Sequence, residues 1–271
     1  MSGELNKKYS ELKDSIKKLG SAIVAFSGGI DSTLVLKAAH DALGNNAVAV
    51  TADSPSLSRK ELEETKKTAA QIGARHLVIQ TEETKEESYL KNPSNRCYYC
   101  KSELYAKLKE ISRQLGIKSI LNGTNFDDLG DYRPGLIAAD ENEVISPLKD
   151  VKLTKNDIRN LARHLGLEAW DKPSSPCLSS RVPYGQQITM QKLSMIEKAE
   201  DFLKNFGIKE LRVRHFGNLA RIEVNEADKT TIMENFDSIN KKFNEIGFNQ
   251  IEVASFKSGN LNVMINVRAE N

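Results

Sequence analysis

Two groups of residues in this 271-residue chain could do chemistry: the run Ser27-Gly28-Gly29-Ile30-Asp31-Ser32-Thr33, and the three cysteines Cys97, Cys100 and Cys177. The first follows an apolar run, Ala22-Ile23-Val24-Ala25-Phe26, and precedes Leu34-Val35-Leu36-Lys37-Ala38-Ala39, so it reads as strand, tight loop and helix. Adjacent glycines let the backbone approach an anion closely, and the first-turn N–H groups, at the positive end of the helix dipole, point at whatever sits there. Ser27, Ser32 and Thr33 add hydroxyl groups. The lysine that reaches the terminal phosphates in a Walker loop is missing, and Asp31 sits in the loop instead. A carboxylate beside bound phosphate makes sense with a magnesium ion between them. The loop therefore predicts a nucleotide site in which Ser27, Gly28, Gly29, Asp31, Ser32 and Thr33 bind phosphate and Asp31 and Ser32 carry catalysis; an ordinary glycine turn is the plainer alternative.

The cysteines pose a different problem. A lone Cys-x-x-Cys, here Cys97 to Cys100, is compatible with half a zinc site, a redox pair or coincidence. Cys177 changes the weighing, because a redox pair needs no third thiol and zinc usually takes four Cys or His ligands. The four histidines, His40, His76, His164 and His215, show no ligand spacing near a cysteine. Three thiolates without a fourth suit a 4Fe-4S cluster with one open iron, with zinc and an unseen fourth ligand as the competing reading.

These groups need elements to position them. Leu5, Tyr9, Leu12, Ile16 and Leu19 recur at helical spacing up to Gly20. After the loop and its helix, Ala47–Thr51 is a strand, Ser58-Arg59-Lys60-Glu61 opens a helix to Ile72 with capping-box spacing, and His76–Ile79 is a third strand. The Cys-x-x-Cys opens a helix ending at Gly116, Ser119–Asn122 is a fourth strand, Glu143–Leu148 a fifth, and Thr154–Leu165 a capped helix. Strands alternating with helices predict an α/β fold with a doubly wound parallel sheet, whose ligand site lies at the carboxyl ends of the strands. That puts Asp53 at an adenosine edge, although an aspartate after a strand is as readily a helix cap. Asp127 and Asp128 sit in a polar loop after the fourth strand, where they could serve magnesium or the nucleotide or cap a turn.

Past Gly166 the period is lost through a proline-rich stretch, and a helix (Thr189–Phe206), two strands (Glu210–Val213 and Ala220–Val224), a helix (Lys229–Ile246) and two more strands (Gln250–Ala254 and Leu261–Asn266) follow. The expected organisation is a nucleotide domain over 1–170, a site-forming linker over 171–188, and a smaller C-terminal α+β domain over 189–271, compatible with a ferredoxin-like arrangement. Arg212 and Arg214 fall on alternate positions of one strand and share a face.

Composition limits the partners. With 39 basic and 37 acidic residues the net charge is +2, so no basic field announces nucleic acid. No apolar run spans a bilayer and no secretory segment is evident, which makes a cytoplasmic protein the expectation; an odd number of cysteines there argues against a disulfide framework.

Ser27–Ser32 resembles the SGGxDS pyrophosphate loop of the PP-loop ATP pyrophosphatases, adenine nucleotide alpha hydrolase-like enzymes that cleave ATP to AMP and pyrophosphate while adenylating a substrate oxygen. Together with Gly123–Gly135, Ser175–Gly185 and Arg212-Val213-Arg214-His215, the chain resembles the LarE family of ATP-dependent sulfurtransferases over nearly its whole length. That resemblance implies ATP as cosubstrate, Mg2+, adenylation of pyridinium-3,5-biscarboxylic acid mononucleotide, and replacement of AMP by sulfur in the biosynthesis of the nickel-pincer nucleotide cofactor of lactate racemase. It implies Cys177 as sulfur carrier, Ser180, Arg181, Arg212 and Arg214 as substrate binders, sulfide or a cysteine-derived donor as sulfur source, and a homo-oligomer without nucleic-acid or membrane partners. Where the Ser-Pro-Cys cysteine stands alone in the family it is sacrificed; with Cys97 and Cys100 this chain resembles the three-cysteine form, which carries a 4Fe-4S cluster. The rivals are a 4Fe-4S-dependent tRNA thiolase, an amide-forming synthetase, which would need no cysteine cluster, and a nucleotide-binding module without catalysis.

Overall fold

A computed structural model describes residues 3–130 and 134–256 of the chain. The expected strand over 261–266 and the residues 131–133 of the polar loop lie outside the described residues. The elements in chain order are α1 (Gly3–Lys17), β1 (Ala22–Ala25), α2 (Ile30–Leu43), β2 (Ala47–Asp53), α3 (Arg59–Ile72), β3 (Arg75–Gln80), α4 (Glu87–Leu90), α5 (Arg96–Leu115), β4 (Ser119–Leu121), α6 (Pro134–Glu141), α7 (Pro147–Asp150), α8 (Lys155–His164), α9 (Met190–Lys204), β5 (Leu211–Phe216), β6 (Leu219–Val224), α10 (Glu226–Glu234), α11 (Phe236–Ile246) and β7 (Gln250–Ser255). The chain divides into two compact units, Met1–Glu83 with Asn95–Ser175, and Thr84–Ser94 with Pro176–Asn271. The division after Ser175 falls inside the stretch expected to be a linker, and the second unit takes a piece of the chain from before α5.

In the first unit the strands lie in the order β3-β2-β1-β4, all parallel. Alternating side chains serve the two faces: Ala22 and Val24 of β1 and Ala47 and Ala49 of β2 join the core under α1, α2 and α8, whereas Ile23, Val48 and Val50 join the core with Tyr105 and Leu108 of α5 and Ala138 and Ala139 of α6. The sheet is doubly wound, with the switch in winding direction between β1 and β4. The expected fifth strand is reduced to a single parallel bridge between Ile145 and Leu121. Glu143 has φ 56°, and Pro147 opens α7, so the extended run has no room to grow.

In the second unit the sheet order is β5-β6-β7, with β5 and β6 antiparallel and β6 and β7 parallel across α10 and α11. Gly217, at φ 66°, starts the two-residue turn between β5 and β6. The single helix expected over 229–246 is two helices. At Asn235 the side-chain Nδ2 donates to Thr231 O at 2.8 Å, taking the carbonyl that a continuing helix would use, and the backbone N–H turns to Met233 O.

Candidate active site

The loop after β1 is built around its glycines. Gly28 has φ +70°, and a Cβ there would sit 2.8 Å from Thr65 Cγ2 of α3, so both backbone and space require glycine. Gly29 is the N-cap of α2 and makes no side-chain capping bond, and α2 begins with no side chain over its first N–H groups. The loop hydroxyls organise the turn: Ser32 Oγ donates to Gly29 O at 3.0 Å, accepts from Ser27 N at 3.3 Å and lies 3.1 Å from Ser27 Oγ. Thr33 Oγ1 is buried without a hydrogen-bond partner, an orphan polar atom one residue further along the helix. A helix N-terminus whose first N–H groups have no side-chain partner is what phosphate requires.

The switch point brings β4 to the same place. Gly123, just past β4, packs so closely that a Cβ would lie 2.8 Å from Ser32 N and 3.1 Å from Asp31 C. Asn125 Nδ2 donates to Asp31 Oδ1 at 3.2 Å, and Lys155 Nζ, on the first turn of α8, makes a 2.5 Å ion pair with Asp31 Oδ2. Both oxygens of the loop carboxylate are thus oriented by residues outside the loop. The sequence shows no Walker lysine in the loop; the fold supplies a lysine from α8. Neither Lys155 nor Asn125 carried a local signal, beyond their place in a capped helix and a polar loop.

Of the other acidic candidates, Asp53, at the end of β2, pairs with Arg59 at 2.6 Å and accepts from Gln80 Nε2 at 2.8 Å. Asp127 accepts from Lys155 N at 2.8 Å and so helps start α8, while buried Asp128 accepts from Asn125 N at 3.0 Å and fixes the loop that holds Asn125. The structure therefore gives Asp127 and Asp128 positioning bonds toward the residues around Asp31.

Cys97 and Cys100 are one turn apart in the first turns of α5, whose N-cap Asn95 makes no side-chain capping bond. Cys177 is exposed at the N-cap of the 3-10 turn Leu178–Arg181, in the second unit. None of the three is in a disulfide. Three unbridged thiols suit an iron–sulfur cluster in donor chemistry, but among the described residues no three His, Cys, Asp or Glu side chains stand together as a metal-holding group. Likewise, among the described residues no helix is long and apolar enough to cross a membrane.

The three candidate arginines of the second unit, Arg181, Arg212 and Arg214, divide into two kinds. Arg181 is buried and bidentate to Glu200, with Nε to Oε1 at 2.8 Å and Nη2 to Oε2 at 3.2 Å; its Nη1 reaches Pro176 O, Cys177 O and Ser180 Oγ. Arg214 is buried against Glu223 at 2.9 Å and donates to Ser180 O at 2.8 Å. These two hold the Ser-Pro-Cys loop from below. Arg212 is only 9% exposed, and its guanidinium lies 4.4 Å from the Phe256 ring centroid. Its pKa is pulled down to about 10, first by burial and then by the neighbouring Arg181 and Arg214, so an anion placed there would relieve an excess of positive charge.

Comparison with known proteins fits this arrangement. The family model for the argininosuccinate synthase N-terminal HUP domain matches residues 21–168, the nucleotide-loop region of the first unit. The chain is 35% identical over 258 residues, 94% of each chain, to the pyridinium-3,5-bisthiocarboxylic acid mononucleotide synthase of Lactiplantibacillus plantarum. It is 43% identical over 262 residues, 95% of this chain and 98% of the relative, to the uncharacterized protein slr1717 of Synechocystis sp.. A more distant similarity, 25% over 207 residues, covers 72% of this chain and 67% of a chain of the glutamine-hydrolyzing GMP synthase of Archaeoglobus fulgidus. The loop at Ser27–Thr33, the sheet that carries it and the similarity across both units agree: the chain belongs to the LarE family of ATP-dependent sulfurtransferases, within the PP-loop superfamily.

Proposed function

We propose that this enzyme inserts sulfur into pyridinium-3,5-biscarboxylic acid mononucleotide during synthesis of the nickel-pincer nucleotide cofactor of lactate racemase. The observation that carries the reading is the 35% identity to a synthase of the bisthiocarboxylic product over 94% of both chains, spanning the nucleotide loop and the Ser-Pro-Cys loop alike. In this reading a substrate carboxylate oxygen attacks the α-phosphorus of ATP, pyrophosphate leaves, and the acyl adenylate forms. Sulfide then attacks the acyl carbon and AMP departs with the former carboxylate oxygen, leaving a thiocarboxylate; a second round completes the product.

The loop Ser27–Thr33 binds the leaving pyrophosphate, Asp31 would hold Mg2+, which would supply positive charge to the phosphates, and Lys155 adds a cation beside Asp31. Ser180, Arg181, Arg212 and Arg214 take the anionic substrate. Among these Arg212 is the direct partner for phosphate or carboxylate, because Arg181 and Arg214 already hold glutamates. The finer proposal is that Cys97, Cys100 and Cys177 hold a 4Fe-4S cluster. Such a cluster, when bound, supplies an exchangeable iron position for the sulfur. Mg2+ and a homo-oligomeric assembly in the cytoplasm complete the proposal.

The test is an anaerobic reaction with ATP, Mg2+, sulfide and the mononucleotide. The expected result is AMP, pyrophosphate and thiocarboxylate in equal amounts over many turnovers, with Cys177 unchanged by mass spectrometry and iron and acid-labile sulfide in the protein. Conversion of Cys177 to dehydroalanine with one sulfur delivered per chain would overturn the cluster proposal. AMP release without any sulfur product, or amide formation from ammonia, would overturn the reaction.

A further inference from the structure

The loop that carries Cys177 is held by a segment from much earlier in the chain, Thr84–Ser94, which belongs to the same compact unit. Tyr89, 1% exposed, has its hydroxyl 2.6 Å from Oγ of Ser179, which is fully buried. Asn92 is also fully buried and adopts the left-handed conformation, φ 53°, which asparagine tolerates better than most residues. Its amide Nδ2 lies within hydrogen-bond distance of three carbonyls, Val182 at 3.1 Å, Pro183 at 2.8 Å and Gln186 at 3.1 Å. The backbones add a short ladder, with Gly185 N donating to Asn92 O and Ile188 N to Leu90 O, each at 2.9 Å.

Cys177 opens the turn that these ties hold. The thiol is exposed, so packing does not orient it; its residue is the N-cap of the turn that contains Ser179, and Cys177 O accepts from Ser180 N at 2.9 Å. Pinning Ser179 from one side and the carbonyls of 182, 183 and 186 from the other leaves the turn a single arrangement. A loop of three prolines and no period over 170–185 would otherwise have many. We propose that Tyr89 and Asn92 are positioning residues for Cys177, fixing the turn that presents its sulfur for the sulfur-transfer step. The proposal rests on the reading of Cys177 as a residue that sulfur transfer requires, as a ligand of the proposed cluster.

The test uses Tyr89→Phe, which removes only the hydroxyl, and Asn92→Gly, which admits the left-handed backbone and removes the amide with its methylene. Both are assayed as whole protein with ATP, Mg2+, sulfide and the mononucleotide, and by hydrogen–deuterium exchange over 177–182. The expected result is AMP release near the wild-type rate, a fall of at least about fivefold in sulfur product per AMP, and a rise of at least about tenfold in exchange. Should Tyr89→Phe not fold, Ser179→Ala removes the other half of the same bond and carries the test. Wild-type exchange together with a wild-type product-to-AMP ratio overturns the inference. Full sulfur transfer by Cys177→Ala would instead overturn the role of Cys177 and leave the exchange result to decide whether the clamp exists.

Discussion

Two regions of this protein are fitted for anions, and they are fitted in opposite ways. At Ser27–Thr33 the donors are backbone N–H groups at an uncapped helix end, shaped by Gly28 and by the close approach of Gly123, and Asp31 is tied down from outside the loop, by Asn125 and Lys155. At Arg181, Arg212 and Arg214 of the second unit the donors are side chains, and two of the three are already bound to buried glutamates, with Arg212 making no such pair among the described residues. A backbone cradle works without any buried charge, so it can stand open at no electrostatic cost. A cluster of three buried guanidinium groups would repel itself, and Glu200 and Glu223 neutralise it until it carries one positive charge in excess of its partners.

The largest effect should come from breaking that neutralisation. Glu200→Ala leaves Arg181 buried without its carboxylate and removes the acceptor of Val213 N, so we expect a loss of about 3–5 kcal/mol in stability, read by chemical denaturation. A Tm and denaturation midpoint unchanged from wild type would show that the ion pair does not hold the second unit together. Next in size, Ser32→Ala or Asp31→Ala should slow pyrophosphate release at least about a hundredfold, on the order of 3 kcal/mol, with the fold intact. Pyrophosphate production at the wild-type rate by either variant would end the account of the loop.

Two smaller effects separate binding from structure. Arg212→Ala should weaken binding of the mononucleotide by about ten- to a hundredfold and leave ATP binding alone, since a charged hydrogen bond is worth about 1.5–3 kcal/mol. Equal affinity in calorimetric titrations would move the substrate site elsewhere. Lys155→Met should lower turnover with ATP by about tenfold or more while changing stability by under about 1 kcal/mol, because a partly exposed ion pair adds little to folding. A fall in stability without a fall in turnover would make Lys155 a structural partner of Asp31 only.

The backbone cradle was legible in the sequence because everything it needs is local: strand, paired glycines, hydroxyls and helix follow one another within a dozen or so residues. Its side-chain complement was not, since Lys155 meets Asp31 across 124 residues and sits in a helix whose visible signal is the Thr154–Asp157 cap. The same holds in the second unit. Arg212 and Arg214 could be placed on one strand face, but Glu200 lies in a helix and Glu223 on the neighbouring strand, and only the fold shows that two of the three arginines are spoken for. The parallel sheet followed from alternation of strands and helices, whereas the fifth strand failed at the left-handed Glu143 and at Pro147, and the long C-terminal helix failed at Asn235, whose amide takes the carbonyl of Thr231.

The smallest predicted effect is on pH dependence. His76 and His215 both have pKa values below the ordinary histidine value, chiefly because burial disfavours the cation, with Lys66 and Lys192 adding to it. Between their native values and about 6.5 the unfolded chain binds protons that the native chain does not, so stability should rise with pH through that window, be lost on acidification through it and level off below it. His215→Gln should flatten the acid side of the profile for the second unit, whose ring packs 5.3 Å from Phe248 with Nδ1 buried and unpartnered. An acid profile unchanged in that variant would place the proton uptake elsewhere.

The central claim is that the open loop activates a carboxylate which sulfur then replaces, and oxygen-18 tests it most directly. With the mononucleotide labelled in its carboxylates, one labelled oxygen should appear in AMP for each sulfur inserted, because the adenylated oxygen leaves with the nucleotide. Label-free AMP alongside a labelled, sulfur-containing product would contradict the account, since sulfur would then have entered without adenylation of the carboxylate.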